Sequence, residues 1–289
     1  MKAITITSAQ YTSSNLSWTY LHNCDATDFV FIPPAYSSSF DTESADMALA
    51  IKTLVDGRGS KTTNIYIGTP GITSANYTQN PSASTLTSFL SAVYTHNSIS
   101  TATYRNKIQG AYMNQEALYG GVNYNNLLGG TQPGNIQVKR MNDIKTWVKA
   151  GNIRGTKFIW IPYYGYGTDP ATIIKNIGYV ADSVQIFDHV MMQPHTFFDQ
   201  NTTNGNFTGI KHSMDNGKVC YRDGVAVISN KVSSTLIGYE MEFDINVEGY
   251  NALYMQYTSA FANYKSYSQA FYWAGYGDST TFGKINAWY

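Results

Sequence analysis

Two stretches of the chain join apolar, strand-forming residues to carboxylates at one end. They are Gly110-Ala111-Tyr112-Met113-Asn114-Gln115-Glu116 and Gly238-Tyr239-Glu240-Met241-Glu242-Phe243-Asp244. Side chains alternate along a strand, so Gly110, Tyr112, Asn114 and Glu116 share one face, and Glu240 and Glu242 share a face of the second stretch. In the first, a small residue lies deep, with an amide and a carboxylate at the C-terminal mouth; the second has the same design. A pair of carboxyls is the equipment for cleaving a glycosidic bond. One protonates the leaving oxygen, and the other attacks the anomeric carbon or activates a water. The acid must keep its proton near neutral pH, which burial beside an aromatic ring or a second carboxylate achieves.

Such residues need a scaffold that brings distant strand ends together, and the chain supplies one. Ala3 to Thr7 alternates and is β-branched. Phe29 to Pro34 is a continuous apolar run ended by prolines, as in a strand buried on both faces. Further strands are expected at 64–70, 108–116, 157–164, 188–194, 237–243 and 270–275. Between them apolar residues recur at helical spacing: Ala45 to Val55 (ended by Gly57 and Gly59), Leu86 to Val93, Met141 to Val148, Ile173 to Val180 and Leu253 to Tyr264. Asp169-Pro170 is a helix start, with Asp as N-cap and Pro at the first helical position. A short helix is expected near Val225 to Val232. The segments 120–134 and 196–222, rich in Gly and Asn, are expected as loop excursions.

Alternating strands and helices imply a parallel sheet, and eight units in this length favour an α/β (β/α)8 TIM barrel, with residues 1–289 as one domain. In such a barrel chemistry sits at the C-terminal strand ends. Counting from Ala3, Glu116 ends the fourth strand and Glu242 the seventh. Across an eight-stranded mouth two glutamates so placed can approach to about 5 Å, the separation for retention through a covalent intermediate.

Composition removes several other classes. The chain has 289 residues, a formal net charge of zero and 13% charged residues, and no basic block exceeds Lys139-Arg140, so neither nucleic acid nor an anionic membrane is an expected partner. Tyrosine is abundant, at 24 residues, and offers a flat apolar face with a hydroxyl, suited to sugar rings and to ordinary cores alike. No Gly-x-Gly-x-x-Gly or Walker loop follows a strand, and His22, His96, His189, His195 and His212 are scattered, so no cofactor and no metal are expected. Cys24 and Cys220 belong to no cluster and read as two separate buried thiols. The N-terminus lacks the apolar core of a signal peptide, and no run reaches membrane-spanning length. The polar, weakly charged composition is compatible with an extracellular or cell-wall role.

Glutamates ending strands four and seven resemble the large retaining glycosidase clan of TIM barrels. Asn114 is similar to that clan's asparagine that touches the sugar 2-hydroxyl, and Trp273 to its strand-eight tryptophan, although the clan sets its asparagine directly before the glutamate and here Gln115 intervenes. The stretches YMNQE, FIWIPYYG, FDHVMMQPHTFF, GYEMEFD and FYWAG, spanning residues 112 to 275, resemble a bacterial glycoside-hydrolase-like barrel family of unknown function. The resemblance implies a carbohydrate substrate, with Glu116 as general acid/base and Glu242 as nucleophile. Glu240, on the same strand face as Glu242, competes for the nucleophile's role and otherwise borders the substrate. Asn114, Gln193, His195 and Tyr164 are candidates to hydrogen-bond sugar hydroxyls, and Trp160 and Trp273 to stack on sugar faces. Each has a plainer role available: Trp160 as core, His195 as a loop cap, Glu240 as a buried carboxylate held by tyrosines or an arginine, Asp188 as a structural group. The competing reading of the whole chain is a catalytically silent barrel that binds glycans or packs against a partner. Neither the sugar, the linkage nor the oligomeric state is legible.

Overall fold

A computed structural model of the chain describes all residues except 38–39, 80 and 199–202, with the backbone alone at 203 and 204. Eight strands form the framework: β1 (Lys2–Thr7), β2 (Asp28–Ile32), β3 (Asn64–Gly68), β4 (Ile108–Met113), β5 (Lys157–Trp160), β6 (His189–Met192), β7 (Leu236–Phe243) and β8 (Ser268–Trp273). They pair in chain order, all parallel, and close when β8 returns to β1 through Lys2↔Gln269 and Ile4↔Phe271. The expected (β/α)8 barrel is therefore the fold.

Helices α1 (Ser8–Tyr11), α2 (Trp18–Asn23), α3 (Asp41–Arg58), α4 (Ala83–Thr95), α5 (Ala102–Arg105), α6 (Pro133–Lys149), α7 (Pro170–Gly178), α8 (Thr203–Asn216), α9 (Tyr250–Phe261) and α10 (Ser279–Trp288) surround the strands. The Asp169-Pro170 start is as expected: the Asp169 carboxylate accepts from the Thr172 N–H at 3.2 Å, and Pro170 opens α7. Among the described residues no helix is long and apolar enough to cross a membrane.

Alternation along the strands divides the core in two. Ile4, Phe31, Ile67, Met113, Phe158, Trp160, Met192, Met241 and Phe271 face outward into the layer shared with the helices. Ala3, Val30, Tyr66, Tyr112, Ile159, Ile161, Met191 and Ala270 fill the barrel interior. Gly110 and Gly238 belong to the inward set by parity. A Cβ on Gly110 would lie 1.9 Å from the Lys157 carbonyl oxygen, and one on Gly238 1.9 Å from that of Ser268. Close strand approach demands glycine at both places. The barrel bottom is sealed by polar contacts: His189 Nδ1 meets Ser268 Oγ at 2.7 Å, and Asp28 accepts from the Lys2 N–H. Asp188, beside them, pairs with Lys149 at 2.8 Å and accepts from the Phe158 N–H, a structural role as its position at a strand start implied. Cys24 and Cys220 are separate, buried thiols.

Two expectations are corrected. The segment 196–222 is not all loop, because α8 runs through it. Its glycines hid the helix, since glycine is a poor helix former, yet they have a packing reason: a Cβ on Gly209 would strike the Tyr164 hydroxyl at 2.0 Å. Conversely, 225–232 is not a helix. Its backbone turns back on 219–221, with the Tyr221 N–H bonded to the Val225 carbonyl and the Val227 N–H to that of Val219.

Candidate active site

β4 and the residues after it continue the alternation beyond the barrel wall. Asn114 and Glu116 face the mouth, and Gln115 faces away. The Asn114 N–H donates to Thr69 Oγ1 at 3.1 Å, its Nδ2 to the Pro33 carbonyl at 3.2 Å, and its carbonyl accepts from the Ile72 N–H. This amide thereby ties the ends of β2, β3 and β4 together. Gln115 is fully buried on the other side, where its Oε1 accepts from Arg140 at 2.9 Å and its Nε2 donates to the Ala117 carbonyl. The residue that separates asparagine from glutamate is thus a buried strut, and the two flanking it share the cavity.

That cavity, of about 300 Å³, opens at the C-terminal mouth of the barrel. Glu116, Glu240 and Glu242 all line it, together with Asn114, Gln193 and His195; Tyr112, Tyr163 and Tyr272 supply most of its aromatic wall. Its volume lies at the lower end of the range for ligand pockets, about 300–1,000 Å³. A larger hollow of about 490 Å³ between α8 and α9 is lined by Phe207, Lys211, Met255 and Gln256 among others, and holds no carboxylate.

The three carboxyls sit in different environments. Glu116 is half-buried. Burial pushes its pKa up, and hydrogen bonds from Tyr163 and Gln193 oppose the rise. Gln193 is itself fixed by a bond from its Nε2 to the Ile161 carbonyl at 2.8 Å. Glu242 is 1% exposed. Burial raises its pKa to about 7, against donors that favour its charge: the Tyr257 hydroxyl and the N–H groups of Phe197 and Thr196. Glu240, one layer deeper and also buried, is pushed well above the carboxylate range by burial and by the charges of Glu242 and Glu116. Among the described residues no lysine or arginine forms an ion pair with any of the three; the one ion-pair partner is His195, whose Nδ1 lies 3.8 Å from Glu242 Oε1.

His195 is also the only described residue other than glycine with a positive φ, at 59°. Such a backbone costs energy and persists only where its surroundings enforce it. Here the ring is caged by Tyr163, Tyr166 and Phe198, at centroid distances of 4.5, 4.3 and 4.9 Å. The turn at His195 leads into the backbone N–H groups of Thr196 and Phe197, which favour the Glu242 anion.

The structure therefore brings together Glu116, Glu240, Glu242, Asn114, Gln193 and His195. It separates three aromatic residues from them. Trp160 is fully buried behind the wall, stacked on Phe187 at 5.3 Å with its Nε1 bonded to the Gln115 carbonyl. Trp273 lies outside the wall as well, its Nε1 donating to the Thr5 carbonyl at 2.8 Å and its ring against Phe282. Tyr164 packs beneath α8, its hydroxyl donating to the Cys220 carbonyl at 2.6 Å. None of the three reaches the cavity, which corrects the expectation that they bind or stack on sugar. The cause is parity. The residues beside two of them, Tyr163 and Tyr272, face inward in their place, as Ile159 and Ile161 do beside Trp160. Sequence reasoning also passed over Tyr257, which comes from α9 with no local signal linking it to Glu242. Among the described residues no group of three His, Cys, Asp or Glu side chains has the geometry to hold a metal.

Solved structures agree with this closed barrel at the level of the fold. A family 18 chitinase from Pseudoalteromonas aurantia is similar over 99% of this chain and 98% of that one, at 13% identity and a TM-score of 0.55. A family 5 glycoside hydrolase from Prevotella bryantii B14 is similar over 94% of this chain and 83% of that one, at 12% identity and a TM-score of 0.50. No model of a known family and no curated protein matches the chain.

Proposed function

We propose that the protein is a retaining glycoside hydrolase, with Glu116 as general acid/base and Glu242 as nucleophile. The observation that carries the reading is the meeting of Glu116 and Glu242, from the ends of β4 and β7, in one aromatic-lined cavity where, among the described residues, no lysine or arginine pairs with either. A carboxyl serving only as a structural anchor would be expected to pair with lysine or arginine. Acidity and exposure bear differently on the division of roles. Glu242, near 7, holds its proton more firmly than a usual carboxyl. Glu116 is the more exposed and can exchange protons with water, as an acid/base must between the two half-reactions. A sugar seated in the cavity removes water from Glu116 and pushes its pKa further up, while the donors around Glu242 remain and favour its anion. Exposure therefore favours this assignment. Glu240, buried beneath them with its pKa pushed up by burial and by their charges, would serve as a hydrogen-bond donor at the cavity floor if it keeps its proton.

A second reading is favoured by the burial of Glu242 and by the donors crowding it. If Glu242 is too enclosed to attack carbon, a sugar carrying a 2-acetamido group can supply the nucleophile itself, with Glu116 as the acid. The fold neighbour described as a chitinase makes such a sugar a reasonable member of any substrate panel.

The test is hydrolysis of a broad oligosaccharide panel, including cell-wall glycans and chitin fragments, with the anomeric configuration of fresh product read by NMR. Retention supports both readings, and cleavage restricted to 2-acetamido sugars selects the second. Inversion overturns both. No cleavage by the wild type returns the chain to a glycan-binding or structural barrel.

A further inference from the structure

Another hollow lies at the C-terminal mouth, between the connections that follow β3 and β4. It measures about 280 Å³ and is lined by Tyr77, Thr78, Pro133, Ile136 and Gln137. Tyr77 and Thr78 belong to a single 3-10 turn in the connection after β3, and Pro133 to Gln137 open α6, after β4. Both connections leave the C-terminal mouth, so the hollow sits on the rim beside the strand that carries Glu116.

Tyr119, three residues beyond Glu116, links the hollow to the site. Its ring packs on Tyr77 at a centroid distance of 5.4 Å and 30° between planes. Burial, together with the charge of Glu116, pushes its phenol up to about 12. Gln137 clamps its backbone, donating to the Tyr119 carbonyl at 2.6 Å and accepting from its N–H at 3.0 Å. No ionisable acid or base other than the tyrosine phenol lines the hollow, and Ile136 is 40% exposed there. A neutral ligand with one apolar face fits such a surface, and a pyranose ring presents its C–H face to aromatic and aliphatic side chains in that way.

We propose that this hollow is the subsite for the sugar on the leaving-group side of the scissile bond, with Tyr77 as its platform and Tyr119 as the partition over which the chain passes. The proposal rests on Glu116 being the acid. The protonated oxygen belongs to the departing sugar, so that sugar must lie on Glu116's side of the cavity, and the hollow sits beside the strand that carries Glu116. The protein would then act on chains that extend past the cavity toward the reducing end, and not solely on single sugars with small leaving groups.

The test compares wild type with Tyr77→Ala and, independently, with Ile136→Lys, both at the surface. Each is given β-1,4-linked N-acetylglucosamine and glucose hexasaccharides, other oligosaccharides cleaved in the panel, and the glycosyl fluoride of the same sugar, whose leaving group cannot reach the hollow. Losing one aromatic platform is worth about 1.4 kcal/mol, so the ratio of kcat/KM for oligosaccharide over fluoride should fall about tenfold in Tyr77→Ala. Ile136→Lys should lower it in the same direction. Cleavage with an unchanged ratio in both variants overturns the subsite and leaves the hydrolase reading standing. No cleavage by wild type, but hexasaccharide binding weakened in both variants by calorimetry, keeps the subsite as a glycan site and overturns the hydrolase reading. Neither cleavage nor binding overturns both.

Discussion

The Tyr257 hydroxyl, from α9, donates a hydrogen bond to Oε2 of Glu242 on β7, and the same oxygen of Tyr257 accepts from the Thr196 N–H at 3.2 Å. One phenol thus couples the proposed nucleophile to the loop that encloses it. Tyr257→Phe removes a donor that favours the Glu242 anion. The pKa of Glu242 should rise, and the acidic limb of kcat/KM should move to higher pH by about one unit, the worth of a hydrogen bond to a charged group. An unmoved limb with unaltered activity would remove Glu242 from the reaction.

Glu116→Gln should lower kcat by about 10²–10⁴-fold on natural glycosides, and much less on substrates whose leaving group departs without a proton. Glu242→Gln should abolish turnover on both kinds of substrate. Azide offered to the alanine variants separates the roles by stereochemistry. Glu116→Ala should yield a glycosyl azide of the substrate's own configuration, because two displacements occur. Glu242→Ala should yield the opposite one, because only one occurs. The reverse pairing of products would exchange the two roles.

Stability should depend on pH through the buried carboxyls. Glu242 ionises near 4.5 in an unfolded chain and near 7 in the fold. Between those values the folded state holds the extra proton, so stability falls as pH rises through the window. At about 1.36 kcal/mol per pH unit the full loss is on the order of 3 kcal/mol. Glu242→Gln, neutral throughout, should gain stability over wild type as pH rises from about 4.5 to about 8, measured by urea unfolding. Glu240→Gln should do the same, because burial and its neighbours' charges raise its carboxyl too. A difference between variant and wild type that stays flat across the window would contradict both environments.

Tyr272 and Trp273 are adjacent in sequence and lie on opposite sides of the wall. Trp273→Ala should cost about 3–5 kcal/mol of stability, as large core truncations do, and should be seen as a lowered melting temperature. Tyr272→Ala should leave melting closer to wild type and raise KM. Equal effects of the two substitutions on KM would mean that the indole reaches the substrate.

Gly110→Ala would bring a Cβ to 1.9 Å from the Lys157 carbonyl. Strand β5 must move or the side chain must strain, at about 1–3 kcal/mol or more. Thermal unfolding of Gly110→Ala, and of Gly238→Ala beside Ser268, should report a clear loss; unchanged melting would mean that the strands separate freely there.

The barrel was legible because its signals are periodic. Runs such as Phe29 to Ile32 and Lys157 to Trp160 announce strands, and the spacing of Ile173, Ile174 and Ile177 announces a helix. The site was legible where it lies on a strand, since alternation puts Asn114 with Glu116 and Glu240 with Glu242. It was less legible past the strand ends and on β5 and β8, where a shift of one residue exchanges core for cavity. Trp160 and Trp273 are the larger and more sugar-like rings, and it is their smaller neighbours that face inward. The helix α8 escaped because Gly205 and Gly209 oppose it locally, while tertiary packing against Arg222 and Tyr164 requires them. Tyr257 escaped because its relation to Glu242 exists only after α9 has docked.

The turn at His195 has a consequence for inheritance. Besides the Tyr257 hydroxyl, the groups that favour the Glu242 anion are the main-chain N–H groups at 196 and 197. Main-chain N–H groups are supplied by every amino acid except proline. The side chains at those positions can drift without disturbing the carboxylate, provided the left-handed turn before them survives. Chemistry built in this way is carried by the path of the backbone, and it can persist in descendants whose letters no longer resemble one another.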